Sequence, residues 1–589
     1  MRYLQFLVLA LMMARSSLSA ASDEADVSGK VLTILEEKCA KCHGDVGAQA
    51  DLKILDYKSL ISGDRKHVVP GDAASSFILT RTAIDKDMPP DKPLTSEEIG
   101  VLQSWIEAGA PDFSRKLLES RRMISVTEVF EAVSKDLTTF EQEDQPFQRY
   151  YSLAHLHNNP LVTENDLNKF RAALSKLINS LSWKQVIVHP KEIDDEKTIL
   201  RIDLRDVGWD EDLTWVKILS KYPYGLKYDS SRTAELSRLA QGVYASTGTD
   251  LPIIRADWFV ATASQPPLYH DILRLPRTAS ALESQLDVRV EYDFRNNRLK
   301  RAGFLQSNVS KQNRLVDRHA SRYGAYWKSY DFAPNSKKGN IQQFPLGPHF
   351  NEYKEFEREA FQEDGGEIIF TLPNGLQAYM IVAADGTRID KAPTEVVSDS
   401  NAPAGNIAVI NGLSCIVCHR SGLNNFADQM REGHASNNDS ARRKIERIYP
   451  PVEAMNTIVA QDSLVFMKAL EETIGQYVLS ETDPLKRREE LSKLPEPIGV
   501  IVKRYSEDLR LEDVVAELQM HERNSTHNER STTLRVLFGT DLYRPYGVKV
   551  LEAGGRVKRT DWEAMKETYS PFQRVSQSLG LGEPFRVDF

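Results

Sequence analysis

The sequence predicts a multidomain protein. An all-α domain occupies 24–112, a mixed α+β middle region 113–400, and a mainly α-helical region 401–589. Three observations predict this layout. A chain of 589 residues is longer than one hydrophobic core ordinarily serves. Apolar residues recur at helical spacing towards both ends, whereas the middle mixes helical runs with strand-like alternation. Asn374-Gly375 and Asp385-Gly386, which tolerate positive φ and mark hairpins, lie between apolar runs of that middle region. With 41% hydrophobic and 27% charged residues, the composition is that of an ordinary folded protein.

The extreme N-terminus differs from the rest. Arg2, the apolar run 4–14 and Ser19-Ala20-Ala21 read as a secretory signal peptide over 1–21, with small residues for cleavage. Beyond it, no span approaches the roughly 20 apolar residues of a membrane helix. An exported protein with no integral membrane span after cleavage is expected.

In the first domain Val27, Val31, Ile34 and Leu35 keep helical spacing and run into Cys39-Ala40-Lys41-Cys42-His43. The same pattern returns as Cys415-Ile416-Val417-Cys418-His419. C-x-x-C-H is the attachment signature of c-type haem. Two residues between the thiols set both sulfurs against one edge of the porphyrin, and the adjacent imidazole becomes the proximal iron ligand. The chain has 4 cysteines and the two motifs use them all, so none is left for a disulfide. A redox dithiol does not call for the histidine, and a shared zinc site would require the pairs to meet across the chain. Two covalently bound haem c groups are therefore expected, on Cys39 and Cys42 with His43, and on Cys415 and Cys418 with His419. Haem c is attached outside the bacterial inner membrane, so the signal peptide and the motifs agree on a periplasmic location.

Iron needs a sixth ligand or an open side. Met88 precedes Pro89-Pro90, whose fixed φ stiffens the loop, and it comes after the polar Asp85-Lys86-Asp87, where a core methionine is not expected. Met88 is the expected distal ligand of the first haem, with His67 the competitor. Thr95 and Glu98 then form a capping box opening a helix whose apolar face is Ile99, Leu102 and Ile106. Cys39–Gly44, Val69-Pro70-Gly71-Asp72, Met88-Pro89-Pro90 and Trp105–Ala110, in that order, resemble the planctomycete-type cytochrome c domain. The resemblance covers about 85 residues of the chain. It implies an N-terminal all-α cytochrome c domain with His43 and Met88 as axial ligands, and implies nothing about the rest of the chain.

In the middle region Thr163 can cap a helix carrying Leu167, Phe170, Leu174, Leu177 and Leu181 on one face. Strands are expected at 186–188, at Leu200, Ile202 and Leu204, at Val288, Val290, Tyr292 and Phe294, and in a hairpin over 367–389. Arg115–Arg122 looks like a basic helix. Asp206, Asp210, Glu211 and Asp212 lack EF-hand spacing and read as a solvated loop rather than a calcium site. His155 and His157 can face one way on a strand, and Tyr269-His270 comes directly after the rigid Gln265-Pro266-Pro267-Leu268, but local hydrogen bonding explains either pair more simply. No nucleophile elbow, Walker loop, dinucleotide fingerprint or zincin helix is present. An unknown ligand at 113–400 stays open.

The second motif comes after the turn Asn411-Gly412, with no apolar helix before it. Phe426–His434 reads as a short helix with Met430 and His434 on one face. His434 is the preferred distal ligand, ahead of Met455, Met430 and an open site. The remaining C-terminal sequence is helical, with one helix through Leu464, Met467, Leu470 and Ile474 and one capped by Thr560 with Glu563.

These readings favour a dihaem cytochrome passing single electrons between redox partners, with no catalytic side chain assigned. Alternatives are a peroxidase-like dihaem oxidoreductase with one open-sided haem, and a ligand-binding protein with cytochrome domains. A net charge of -9 argues against nucleic acid and suits docking to a basic periplasmic redox protein.

Overall fold

The computed structural model describes residues 27–588, apart from 63–64, 91, 115–121, 229, 231–232, 306–312, 335, 395–407, 520–526 and 566–567. The expected signal peptide at 1–21 and nearly all of the basic segment Arg115–Arg122 lie outside the described residues. From residue 27 the chain is helical to His43, passing through a π-helical stretch, Leu35–Cys39, into the turn Ala40–His43. Val31, Leu35 and Ala40 on this helix are buried. Helix α1 (Ser96–Glu107) starts at Thr95, whose hydroxyl accepts from the Glu98 amide while the Glu98 carboxylate accepts from the Thr95 amide. It buries Leu102, Trp105 and Ile106, the two aliphatic side chains contributing roughly 1.5–3 kcal/mol each. Both helices belong to one core with Ile54, Leu60 and Leu79, and Lys38 pairs with Glu98 at 3.1 Å.

Helix α2 (Val126–Leu137) leads into a four-stranded sheet of β1 (Gln148–Ser152), β2 (Lys191–Glu192), β3 (Ile199–Asp203) and β4 (Ile253–Arg255), ordered β2-β3-β1-β4. β1 runs antiparallel to β3 and parallel to β4. Between β1 and β2 lies α3 (Glu164–Ser180), capped by Thr163 with Asp166 at N3. Its apolar face, Leu167, Phe170, Leu174 and Leu177, is buried as its spacing predicts. So are Asp166, Arg171, Lys176 and Asn179 on its other sides. Burying such groups is costly unless they are paired. Arg171 donates to the Lys197 carbonyl at 3.0 Å, Lys176 pairs with Glu496 at 2.9 Å, and Asn179 brackets Val188. α3 is the central helix of the molecule, packing against α4 (Ala256–Ala263) and against helices of the C-terminal region.

The second sheet is an antiparallel meander of β5 (Lys300–Phe304), β6 (Arg314–Ser321), β7 (Gly324–Asp331), β8 (Gly365–Thr371) and β9 (Gln377–Ala383). The hairpin expected over 367–389 is β8–β9, with Thr371 opposite Gln377 and Gly375 at a φ of 87° in the turn. Two expected strands are absent. Residues 186–188 form none, and Val290–Arg295 is a short helix. In the latter the alternation of Val288, Val290, Tyr292 and Phe294 is not used: Phe294 is buried and Tyr292 exposed.

The C-terminal region supplies α5 (Leu413–Cys418), α6 (Val452–Val478), α7 (Pro497–Tyr505) and α8 (Leu511–Glu517). One hydrophobic core joins it to the middle region, drawing on Leu174, Phe259, Met380, Leu413, Ile501 and Val515. Of the expected helix Phe426–His434 only Met430–Gly433 is helical, and His434 is its extended C-cap. Thr560 caps nothing. The short helix Arg559–Trp562 is preceded by Lys558, and Glu563 instead accepts hydrogen bonds from the Tyr224 and Tyr505 hydroxyls. Leu464 is exposed, whereas Phe466, Leu470 and Ile474 face the core. Among the described residues no helix is long and apolar enough to cross a membrane.

Candidate functional site

At the first motif, His43 Nδ1 lies 3.0 Å from the Gln49 carbonyl. A carbonyl only accepts, so Nδ1 carries the hydrogen and Nε2 presents a bare lone pair, the tautomer a metal-binding imidazole requires. Cys39 and Cys42 are half-buried and free of disulfides. Burial, then the neighbouring Cys42, pushes the Cys39 thiol up to about 12, so it stays protonated until it reacts. Burial lowers the His43 pKa, and the charge of Arg81 lowers it further. Arg81 also organises the Met88 loop. Its carbonyl accepts from the Met88 amide at 3.3 Å, and its guanidinium binds Asp87 at 2.7 Å. Met88 is half-buried on that loop. His67, the competitor, packs its ring on Phe77, and burial, then the charge of Arg65, lowers its pKa.

The second motif is built differently. Gly412 precedes α5 with a φ of 83°, and a Cβ there would stand 2.6 Å from the Ser264 carbonyl and 2.8 Å from the Tyr269 ring. This is where Tyr269-His270 acts. The Tyr269 hydroxyl donates to the Tyr379 carbonyl at 3.2 Å and accepts from its amide at 2.9 Å. Asn411 donates to His270 Nε2 at 2.8 Å. The pair braces the entry to the motif and projects into no pocket of its own. His419 Nδ1 donates to the Gly422 carbonyl at 3.1 Å, as His43 does to Gln49, and its ring stacks on Tyr379 with centroids 5.9 Å apart.

Beside Cys415, Cys418 and His419 opens a cavity of about 840 Å³, within the range of small-molecule and cofactor sites. Phe304, Trp327, Ile369 and Ile381 give it apolar walls, and Arg314, Lys328, Arg420 and Lys503 line it together with Asp331, Asp364, Glu367 and Glu496. Its volume, its apolar walls and the thiols of Cys415 and Cys418 beside it fit a haem, whose acidic substituents the basic side chains could meet.

The structure does not bring His434 to this cavity. Its Nδ1 accepts from the Ser436 amide at 3.3 Å, and the residue is absent from the lining. Met430 is fully buried with Leu315, Ile341 and Tyr449, and Met455 is buried in the main core. No methionine and no second histidine lines the cavity among the described residues. Glu367 of β8 does, with Oε2 3.8 Å from His419 Nε2.

The second motif and the segment just after the first lie against the same helix. A Cβ on Gly499 of α7 would stand 2.7 Å from Val417, inside the second motif, and a Cβ on Gly47 would stand 3.2 Å from Val500, the next residue of α7. At the far end of α7, Arg504 pairs with Asp45 at 2.5 Å and with Asp513 at 2.5 Å, and Arg510 pairs with both acids at 3.0 Å. Asp166 accepts from the amides of Asp45 and Val46. Nothing in the sequence marks the contacts of Asp45 with Arg504, Arg510 and Asp166 or of Gly47 with Val500, because these partners lie more than a hundred positions away.

Other candidates resolve into structural roles. His155 and His157 share the helical turn Ala154–His157 rather than a strand, and His155 pairs with Asp257 at 3.0 Å. Arg274 engages Glu211 and Asp212, both at 3.1 Å. Among the described residues no group of three or more His, Cys, Asp or Glu is placed to hold a metal ion.

Residues 39–92 match the family model of planctomycete cytochrome C, a likeness confined to the N-terminal region, where it implies a c-type cytochrome domain with covalently bound haem c. No curated protein and no solved structure matches the chain.

Proposed function

We propose that this protein is an exported, periplasmic dihaem c-type cytochrome that passes single electrons between redox partners. One observation carries the reading. The second C-x-x-C-H motif and the segment directly after the first, remote in sequence, come to rest against one helix of 9 residues, α7, about 13.5 Å long at 1.5 Å per residue. Each proximal imidazole is held in the metal-binding tautomer by a backbone carbonyl.

Haem iron supplies a one-electron couple, which needs no protein acid or base. The chain supplies attachment, orientation and dryness. Cys39 and Cys42 hold the first group with His43 and Met88 as its axial residues, and a thioether opposite histidine raises the potential. Cys415 and Cys418 hold the second with His419, between β8–β9 and α7. The test is haem content by intact mass and haemochrome spectrum. Cys39→Ala/Cys42→Ala and Cys415→Ala/Cys418→Ala should each lose one covalent haem of two, and unchanged stoichiometry in either double variant refutes that site.

A second reading, a dihaem oxidoreductase with an open-sided haem, is favoured by the cavity at His419, whose lining offers neither thioether nor a second imidazole. Peroxide-dependent oxidation of a reduced carrier, abolished by the second double variant, would move it to first place.

A further inference from the structure

We propose that the Glu367 carboxylate holds the sixth position at the second iron, opposite His419, in place of His434 or Met455; this rests on the second motif carrying haem. His419 donates its one ring hydrogen to Gly422, so Nε2 faces the cavity as an acceptor. Glu367 Oε2 lies 3.8 Å from that nitrogen. An ionised carboxylate also only accepts, and two acceptors facing each other call for a proton or a metal cation between them; an iron held by His419 would be the latter. Nitrogen and oxygen donors bind metal ions at about 2 Å, so two of them on opposite sides of one ion stand about 4 Å apart. The observed spacing is that of an axial pair.

Glu367 is the one charged residue in Glu367–Leu372, an otherwise apolar or neutral run. Its half-buried carboxylate meets the His419 ring and the Cys415 thiol, with the charge of Arg314 nearby, so it is aimed at the second motif. The strand fixes it firmly: its amide donates to Ser329 Oγ at 2.8 Å, and that hydroxyl donates to Asp331, which Arg314 engages. Competing groups around the cavity are committed elsewhere. Lys328 binds Glu283, Lys503 binds Asp51, and Glu496 binds Lys176. A carboxylate is a harder ligand than a thioether, so the second haem should have the lower potential of the two and a ligand that small anions displace.

The experiment uses full-length holoprotein and compares wild type with Glu367→Gln, Glu367→Ala, Glu367→His and His434→Ala. Ferric EPR and absorption spectra, redox titration and cyanide titration are the readouts. Wild type should show one haem that cyanide converts to low spin. Glu367→Ala and Glu367→Gln should change that haem's ferric spectrum and tighten cyanide binding at least tenfold, while the first haem is unchanged. Glu367→His should make the second haem low-spin, and His434→Ala should alter nothing. The proposal is overturned if the Glu367 variants keep two haems and the wild-type spectrum, or if His434→Ala is the change that alters the second haem. Absence of covalent haem at Cys415 and Cys418 in wild type would instead remove the dihaem reading itself. Glu367→Gln, nearly isosteric, keeps the test decisive if Glu367→Ala does not fold.

Discussion

Gly499 and Gly242 show how far one residue type depends on its surroundings. Both are helical, where glycine costs roughly 0.5–1 kcal/mol relative to alanine. A Cβ at Gly242 meets nothing within 4 Å, whereas one at Gly499 stands 2.7 Å from Val417. Gly242→Ala should therefore raise stability by about 0.5–1 kcal/mol. Gly499→Ala should lower it, because the clash falls inside the second C-x-x-C segment, and, if that motif carries haem as proposed, should shift its absorption spectrum; denaturant midpoints and the absorption spectrum check both. Two buried histidines set an acid limit. Burial, then the Arg388 guanidinium, holds His270 down to about 4, and burial holds His527 at about 4. Well above the ordinary histidine pKa of about 6.5 both stay neutral folded or unfolded and contribute no pH dependence. As the pH falls from about 6.5 towards about 4, the unfolded chain takes up protons that the folded one excludes, so stability falls by on the order of 1–3 kcal/mol per histidine. Urea midpoints at about pH 7 and about pH 5 should differ, and His270→Asn should shrink the difference.

At the scale of elements, caps and turns were legible and buried polar partners were not. Thr95 with Glu98 and Thr163 with Asp166 form capping boxes because the side chains that satisfy the first helical amides lie three residues apart in sequence. Asn374-Gly375 turns β8 into β9 for an equally local reason. The alternation at 288–294 misled, since a short helix and a strand can share so brief a pattern, and Thr560 misled because Glu563 is taken by two tyrosines from elsewhere. The meander also hides Arg301 on β5 and Asp317 on β6, both fully buried and joined by bonds of 2.5 and 2.6 Å. Removing one partner of such a pair strands a charge, so Asp317→Ala should cost about 3–5 kcal/mol. Replacing both with apolar residues of like volume should cost much less, by denaturant titration.

Across the whole molecule the decisive contacts are those of α7 with the second motif and with Gly47 just after the first, and of Asp45 with Arg504 and Arg510. Asp45 is fully buried, and although burial opposes its ionisation, the two guanidiniums with Lys53 hold its carboxyl far below the usual range. Asp45→Ala leaves both arginines sharing Asp513. It should cost about 3–5 kcal/mol and split thermal unfolding into two calorimetric transitions, the N-terminal domain melting first. A single unsplit transition would show the two regions held by apolar contact alone.

The sequence by itself determined the motifs: two C-x-x-C-H pentapeptides using every cysteine, the Met88 loop, and the N-terminal region that matches a cytochrome family. These are local facts, since such signatures and caps act over a few residues. Only the tertiary structure decided where the second motif lies, what faces His419, and that the second motif and the segment after the first meet one helix. Those outcomes depend on contacts such as Asp45–Arg504, Val417–Gly499 and Glu367–His419, between residues whose neighbours in sequence carry no trace of the partner. Burial makes such pairs strong, and burial is a property of the folded chain rather than of any stretch of it.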